Sequence, residues 1–202
     1  MKKIAVSFLT LIIFLSGNNL LADAVIGSPA PEFSLPDTNG KTHSLSEFKG
    51  KFVVLEWNNP DCPFVRKHYD TGNMQRLQKE FTEKGVMWLA IDSSTDGKQG
   101  DYSAAEHNKI LVERGSNVTA LLLDLDGKVG QTYGAKTTPH MFVINPEGNV
   151  IYNGAIDSDP RAEDPKAGGV ENYVESALNQ AMAGQPVAKS TMPPYGCSIK
   201  YA

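Results

Sequence analysis

The chain of 202 residues contains two cysteines, Cys62 and Cys197, and the first lies in a sequence that is typical of a reactive thiol. Cys62 stands in PDCPFV, between a polar break and a proline. A redox pair within one helical turn would place its second cysteine three residues later, where this chain has Val65. Thiol chemistry at Cys62 therefore needs a partner from elsewhere, either Cys197 or a second molecule.

The surroundings of Cys62 predict a thiol of low pKa. The apolar run KFVVLEW ends shortly before it and a helical pattern begins directly after it, so the sulfur is expected at a helix N-terminus. Unpaired N–H groups and the helix dipole stabilise a thiolate there, which lowers the thiol pKa from ~8.5 into the range ~3.5–7.5. Pro63 suits the first helical position, and Arg66, Lys67 and His68 add positive charge. This arrangement favours a reactive thiol over an inert core cysteine.

Cys197 lies in the C-terminal segment PPYGCSIKYA, which follows the proline-rich stretch QPVAKSTMPP. We predict that residues 185–202 form an extended tail, with Tyr195 and Tyr201 as candidate anchors. Such a tail reaches at most ~60 Å, which is enough to cross one domain. A disulfide between Cys62 and Cys197 would close a loop of 135 positions. Its plainest role is a structural staple that stabilises the fold by ~4–5 kcal/mol.

The N-terminus is typical of a secretory signal peptide. A cationic start, MKK, precedes the short apolar run IAVSFLTLIIFL, and ADA at residues 22–24 matches a small-residue cleavage pattern. We therefore predict a signal peptide at residues 1–24 and a periplasmic or secreted protein. An uncleaved anchor is the weaker alternative, because the run is shorter than the ~20 apolar residues that span a bilayer, and no stable membrane span is expected after cleavage. Thiols in an oxidising compartment tend towards disulfides unless a reductant maintains them.

Composition limits the number of domains and the class of partner. The formal net charge of -4 becomes -5 without residues 1–24, which hold two lysines and one aspartate. This mild acidity argues against a nucleic-acid partner. A hydrophobic content of 41% supports one substantial core, so residues 25–184 are predicted to form one domain.

The elements that must position these residues alternate between buried strands and helices. Strand patterns cover residues 51–57, 85–92 and 120–124, and PHMFVINPEGNVIYNGAID is typical of two strands joined by a turn. Helical patterns cover residues 63–84, with a break or bend expected at DTGN, then residues 103–115 and a final segment, 168–184. This order predicts an α/β domain in which helices flank a central mixed sheet.

Two motifs within this order resemble the thioredoxin fold. WNNPDCPFV follows the first buried strand, and KTTPHMFVIN opens the late hairpin. Over residues 25–184 the chain looks like the exported redoxin-domain branch related to alkyl hydroperoxide reductase/thiol-specific antioxidant proteins and to TlpA-like thioredoxins. The resemblance implies that Cys62 lies at a strand end and helix start. It also implies that Pro139, after Thr138, is a cis-proline packed against the sulfur.

The chain departs from both branches of this superfamily at positions that decide the chemistry. Thioredoxins and TlpA-like proteins carry Cys-x-x-Cys, which Val65 excludes here. Typical peroxiredoxins carry Pro and Thr or Ser where this chain has Leu55 and Asn59, so the hydroxyl that would hold a peroxide is missing. The Gly-Cys-Ser-x-Lys-Tyr ending is similar to that of relatives with Cys-Pro-Phe-Val. This likeness implies that the second cysteine has moved from the active-site helix to the tail.

These features together predict a thiol-disulfide oxidoreductase. Cys62 would attack an oxidised thiol substrate, Cys197 would resolve the mixed disulfide and Pro139 would shape the groove. An external thiol reductant is the expected partner, and no cofactor is expected. The predicted lining of the substrate groove comes from residues near Cys62 in sequence or beside the proline: Trp57, Asn59, Pro63, Phe64 and Thr138. Core packing is the competing interpretation for Trp57 and Phe64.

Two other classes of function stay open. In a thiol peroxidase the oxidant is a hydroperoxide, and Cys62 passes through a sulfenic acid. In a non-enzymatic protein, the Cys62–Cys197 disulfide is a permanent staple on a redox-inactive binding module, or the thiols carry copper with help from His68 or His140. Surface or structural histidines are the simpler interpretation of those two residues, so no metal site is predicted.

Overall fold

The computed structural model describes residues 24–201, so the predicted signal peptide lies outside the described residues except for Ala24. Along the chain the strands are β1 (Ser34–Pro36), β2 (Thr42–Ser44), β3 (Val53–Trp57), β4 (Met87–Asp92), β5 (Ala120–Leu123), β6 (Thr137–Thr138), β7 (His140–Ile144), β8 (Val150–Gly154) and β9 (Cys197–Ser198). The α-helices are α1 (Pro63–Asp70), α2 (Asn73–Glu83), α3 (Ala104–Glu113), α4 (Lys128–Tyr133) and α5 (Tyr173–Met182), and a 3-10 helix spans Leu45–Phe48. Within this part of the chain, every helix is too short or too polar to span a bilayer.

β3 occupies the centre of a five-stranded sheet with the strand order β5-β4-β3-β7-β8. β4 pairs in parallel with both β3 and β5, whereas β7 pairs antiparallel with both β3 and β8. Every side chain of β3 is buried, which agrees with the continuous apolar run from which this strand was predicted. The predicted central mixed sheet flanked by helices is confirmed.

The two faces of β3 bury different hydrophobic clusters, because successive side chains of a strand point in opposite directions. Val54 packs in the cluster that contains Cys62, whereas Trp57 belongs to the cluster on the other face. The Trp57 indole is fully buried, donates a hydrogen bond to Ser93 Oγ at 3.0 Å and packs edge-on against Phe142. The prediction that Trp57 lines the substrate groove is therefore wrong. Its competing interpretation, core packing, is confirmed.

The helices begin and end close to their predicted positions. The expected break after α1 is confirmed, because the chain turns at Gly72, whose φ of 73° lies in the left-handed region that favours glycine. Ser103 caps α3 as predicted. α4 is not predictable from the sequence, because six residues between two glycines are too few for a periodic pattern to emerge. α5 begins at Tyr173, five residues later than predicted, where the Asn172 side chain accepts the N–H of Glu175 at 2.9 Å.

Beyond α5 the chain returns across the domain as an extended tail, residues 185–201. Backbone hydrogen bonds fix it first to β8, where Asn153 N–H donates to Ser190 O at 3.0 Å and Met192 N–H donates to Asn153 O at 3.2 Å. β9 then pairs antiparallel with β6. Finally, Thr95 N–H donates to Lys200 O at 2.9 Å. The tail therefore holds Cys197 against the strand that precedes β7.

Candidate active site

Cys62 is the N-cap residue of α1 and follows the loop that leaves β3. Its backbone is extended (φ −70°, ψ 124°), and its carbonyl accepts the N–H of Arg66 at 2.9 Å, which starts the helical hydrogen-bond pattern. Pro63 occupies the first helical turn, as predicted. The expected placement of a thiol at a helix N-terminus is therefore confirmed.

The sulfur of Cys62 faces the Thr138–Pro139 segment. The peptide bond between these two residues is cis, which confirms the prediction for Pro139. Cys62 Sγ donates a hydrogen bond to Thr138 O at 3.0 Å. Cys62 is 0% exposed and Thr138 is 3% exposed, so the sulfur is enclosed rather than open to solvent.

Cys197 reaches the same place from the tail. The register of β6 and β9 puts Cys197 opposite Thr138, the residue whose carbonyl oxygen accepts the Cys62 thiol, so both cysteines lie against the same residue. The structure holds both as free thiols, so a disulfide between them stays a prediction. Gly196 permits this close approach, because its φ is 135° and a Cβ atom there would lie 2.1 Å from Thr138 O.

The two thiols differ in their tendency to ionise. Burial raises the pKa of Cys62, but hydrogen bonding to the sulfur from the side chains of Cys197 and Thr138 and from the N–H of Val65 outweighs burial, so the pKa lies below its ordinary value. Burial raises the pKa of Cys197 to about 11, and its hydrogen bond with Cys62 and the charge of Cys62 act in the same direction. Of the two thiols, Cys62 is therefore the one that ionises at the lower pH.

We expect this difference to appear in the pH dependence of alkylation of the reduced protein. Because the thiolate is the nucleophile, each rate rises with pH and levels off above the pKa of that thiol. The Cys62 profile should level off below the ordinary thiol range, whereas the Cys197 profile should keep rising towards about pH 11. Alkylation with iodoacetamide over a pH series, followed by peptide mass spectrometry, measures both profiles. Coincident midpoints would contradict the assignment.

The other predicted groove residues lie in different settings. Asn59 is buried, its Nδ2 donates to Gln99 O at 2.9 Å and its Oδ1 accepts the N–H of Asp61 at 2.9 Å. Both ends of this amide hold the loop before Cys62, contrary to the predicted substrate contact. Pro63 is exposed and Phe64 is half-buried, so these two stay at the surface beside the cysteine.

The two histidines considered for copper are buried, and both nitrogens of each ring are hydrogen-bonded. In His68, Nδ1 lies 2.9 Å from Asn73 Nδ2 and Nε2 lies 3.0 Å from Tyr195 Oη. In His140, Nδ1 lies 3.1 Å from Lys136 N and Nε2 lies 2.8 Å from Asn153 Oδ1. Within residues 24–201, no group of three or more His, Cys, Asp and Glu side chains is placed to hold a metal ion. The hydrogen bonds assign both histidines structural roles.

Glu56 is a buried carboxylate that the sequence analysis did not single out. It lies inside β3 and accepts hydrogen bonds from Asn58 Nδ2 at 2.6 Å, Trp88 Nε1 at 2.8 Å and Tyr69 Oη at 3.0 Å. Burial raises its pKa above the ordinary value. The network ties β3 to α1 and β4, the elements that carry and support Cys62. One feature of the sequence could have revealed this residue: Glu56 is the acidic residue within the otherwise apolar run FVVLEW.

Comparison with known proteins agrees with this geometry. The sequence profile of the AhpC/TSA family matches residues 26–153, a range that includes Cys62 and Pro139 and ends before the tail. The thiol-disulfide oxidoreductase ResA of Bacillus subtilis is 36% identical over 125 residues, which cover 62% of this chain and 64% of that protein. The chain therefore matches less than two thirds of this relative's length.

Solved structures share the fold. An uncharacterized conserved protein from Geobacillus kaustophilus superposes with a TM-score of 0.77 at 26% identity, and the match covers 89% of this chain and 93% of that chain. A putative thiol:disulfide interchange protein DsbE from Chlorobium tepidum superposes with a TM-score of 0.53 at 24% identity, covering 65% of this chain and 85% of that chain. The second likeness concerns the fold alone.

Proposed function

Since the chain belongs to the AhpC/TSA family, we propose that it is a thiol-disulfide oxidoreductase with Cys62 as nucleophile and Cys197 as resolving cysteine. The observation that carries this proposal is the placement of both cysteines against Thr138, beside cis-Pro139: the Cys62 thiol donates to Thr138 O, and Cys197 pairs with Thr138 across β6 and β9. The name of the Bacillus relative supports the class of reaction. The role of Cys197 is proposed from the structure, because this residue lies beyond residues 26–153, the range that the family profile matches.

The reaction begins when the Cys62 thiolate attacks one sulfur of a substrate disulfide. The substrate S–S bond breaks, one substrate thiolate leaves and takes up a proton, and a mixed disulfide joins Cys62 to the other substrate sulfur. Cys197, after losing its proton, attacks Cys62 Sγ. The mixed disulfide breaks, the second substrate thiol is released and a Cys62–Cys197 disulfide forms. Two electrons have then passed from the cysteine pair to the substrate.

The pKa difference between the thiols suits this order of attack. The low pKa of Cys62 supplies the first nucleophile. Burial is the main cause that raises the pKa of Cys197, and the hydrogen bond and charge of Cys62 add to it. Because the Cys62 thiolate is consumed in the mixed disulfide, the contribution of its charge disappears at the step where Cys197 must ionise.

Regeneration by an external thiol reductant follows from the same properties. In the oxidised pair, Cys197 is the more exposed sulfur and Cys62 is the better leaving group, since a thiol of lower pKa leaves faster. The reductant thiolate therefore attacks Cys197, the Cys62–Cys197 bond breaks and Cys62 departs as the thiolate. A second reductant thiol then attacks the reductant sulfur bound to Cys197 and releases the Cys197 thiol and an oxidised reductant.

Rapid-mixing kinetics test the proposal against the peroxidase alternative. Reduced protein is mixed with a small protein disulfide or with hydrogen peroxide, and oxidation of the cysteine pair is followed by acid quenching and mass spectrometry. We expect saturable oxidation by the disulfide and slow oxidation by peroxide without saturation. Rapid, saturable consumption of peroxide would replace the proposal with a peroxidase.

The reduction potential separates a working pair from a permanent staple. Structural disulfides typically have potentials below about −300 mV, whereas working disulfides lie higher. We propose that this pair lies above that limit. We also propose that the protein acts outside the cytoplasm, with the leader-like N-terminal sequence as support. Fractionation of cells that express the full chain tests the location.

A further inference from the structure

Tyr195 lies two residues before Cys197 and occupies a socket in the folded domain. Phe64, Lys67, His68 and Asp157 form this tyrosine socket. The Tyr195 ring packs edge-on against Phe64, with ring centroids 5.7 Å apart, and Lys67 Nζ lies 5.2 Å from its centroid. Three of these four residues belong to α1, the helix that begins directly after Cys62. The socket therefore joins the tail to the helix that carries the nucleophile.

The hydroxyl group of Tyr195 is a link in a directed hydrogen-bond chain. Tyr195 Oη donates to Asp157 Oδ1 at 2.5 Å and lies 3.0 Å from His68 Nε2. Burial lowers the pKa of His68 to about 3, so the imidazole is neutral. Its Nδ1 accepts from Asn73 Nδ2 at 2.9 Å, which leaves the proton on Nε2 for donation to Tyr195 Oη. The chain therefore runs from Asn73 through His68 and Tyr195 to Asp157.

The partners of this hydroxyl are buried, which distinguishes it from an ordinary surface contact. His68 is 0% exposed and Asp157 is 1% exposed. By contrast, β9 has only two residues, and so short a pairing fixes a tail weakly. A hydrogen bond between buried groups matters more than one at the surface, because its loss leaves buried polar atoms that water cannot satisfy. The register of Cys197 on β6 thus depends on more than the strand pairing.

We infer that Tyr195 is a positioning residue that holds Cys197 in register with Cys62 through the hydrogen-bond chain of the tyrosine socket. This inference rests on the proposed function, in which these two cysteines form a disulfide. Tyr195 touches neither reacting sulfur in this scheme. Tyr195 holds the tail in place two residues before Cys197, and this restriction raises the effective concentration of the Cys197 thiol at Cys62.

The test compares Tyr195→Phe with the full-length protein in glutathione redox buffers. The variant keeps the ring and its packing against Phe64 but removes the hydroxyl. We expect the equilibrium constant for the Cys62–Cys197 disulfide to fall by roughly 10- to 100-fold, because the lost hydroxyl leaves two buried partners, His68 and Asp157, without their hydrogen bonds. Quenched samples analysed by mass spectrometry give the oxidised fraction at each buffer ratio.

Tyr201→Phe is the matched control. Tyr201 anchors the tail on the other side of Cys197, and its hydroxyl donates to the neutral Ala135 O at 3.0 Å. Removing this hydroxyl is expected to lower the constant by less than about tenfold. A Tyr195→Phe effect within twofold of the wild type, or no larger than that of Tyr201→Phe, would overturn the inference.

Two further measurements separate positioning from a general loss of structure. The circular dichroism of reduced Tyr195→Phe is expected to match that of the reduced wild type at the assay temperature. Its denaturant midpoint should fall modestly, because the hydroxyl's hydrogen bonds are present in the reduced protein. A spectrum of an unfolded protein would overturn the positioning role. Asp157→Asn combined with Tyr195→Phe should lower the constant no further than the stronger single change, because both break one chain. Additive effects would count against a shared chain.

The outcome for the wild type keeps the two proposals distinct. If the wild type does not form a Cys62–Cys197 disulfide in oxidising glutathione buffer, the proposed function fails whatever Tyr195 does. If the wild type forms this disulfide and Tyr195→Phe forms it equally well, only the role of Tyr195 fails.

Discussion

Replacing Cys62 with serine is expected to lower the rate of substrate disulfide reduction by roughly 10³-fold or more, to the rate of the reductant alone. A serine hydroxyl stays protonated at neutral pH and cannot form a disulfide, so neither the mixed disulfide nor the internal disulfide can form. The change is small in volume at a fully buried site, so the fold should persist. Reduction of insulin by dithiothreitol, followed as turbidity, measures the rate.

Cys197→Ser is the matched control, because it removes the other thiol and keeps the first step. We expect this variant to accumulate a mixed disulfide between Cys62 and the substrate, visible on non-reducing gels. Cys62→Ser should form much less of this adduct at Cys197 at neutral pH, since burial, the main cause that raises the pKa of Cys197, remains in that variant. A Cys62→Ser protein with the wild-type rate would refute the assignment of the nucleophile.

Replacing Gly196 with valine is expected to unseat the tail and raise the rate at which a bulky maleimide labels Cys62 by roughly tenfold or more. Two costs combine at this position. Gly196 has a φ of 135°, and side chains in left-handed conformations cost ~1–2 kcal/mol, about tenfold in an equilibrium. The new Cβ would also lie 2.1 Å from Thr138 O, so β9 cannot keep its pairing with β6.

Gly184→Val is the control for Gly196→Val, because it introduces backbone strain without a steric clash. Gly184 has a φ of 71°, but no atom lies within 4 Å of a Cβ built there. The substitution strains the backbone after α5 without pushing the tail away from Thr138. Maleimide labelling of Cys62 in reduced protein should therefore stay near the wild-type rate. Equal labelling of the Gly196→Val and Gly184→Val proteins would show that the contact with Thr138 does not hold the tail.

The local half of the site could be predicted because short-range rules govern it. A buried strand, a polar break and Cys-Pro place Cys62 at a helix N-terminus whatever the rest of the chain does. Gly72 breaks the helix for an equally local reason, its positive φ. The position of Pro139 beside the sulfur was predicted from the resemblance to the thioredoxin fold.

The long-range half could not be predicted in the same way. Tyr195 Oη finds Asp157 and His68 at sequence separations of 38 and 127 residues, and no periodicity or spacing encodes such partners. Trp57 shows a different limit. Strand alternation predicts that Glu56 and Trp57 face opposite sides of the sheet, but it does not say which side α1 will cover. That choice depends on the packing of the whole domain.

Because Cys62 is enclosed beneath the tail, its reactivity depends on how the molecules divide between two states, one with the tail docked and one with the tail lifted. With Cys62 fully buried beside Thr138 and Cys197, a large substrate meets the sulfur only in molecules whose tail has lifted, a local opening far smaller than unfolding. The observed rate is then the intrinsic rate multiplied by the open fraction, and each tenfold fall in that fraction slows every large substrate tenfold. Substitutions in the tail, far in sequence from Cys62, would thus change the rate of the proposed reaction while the chemistry of the thiol stays constant.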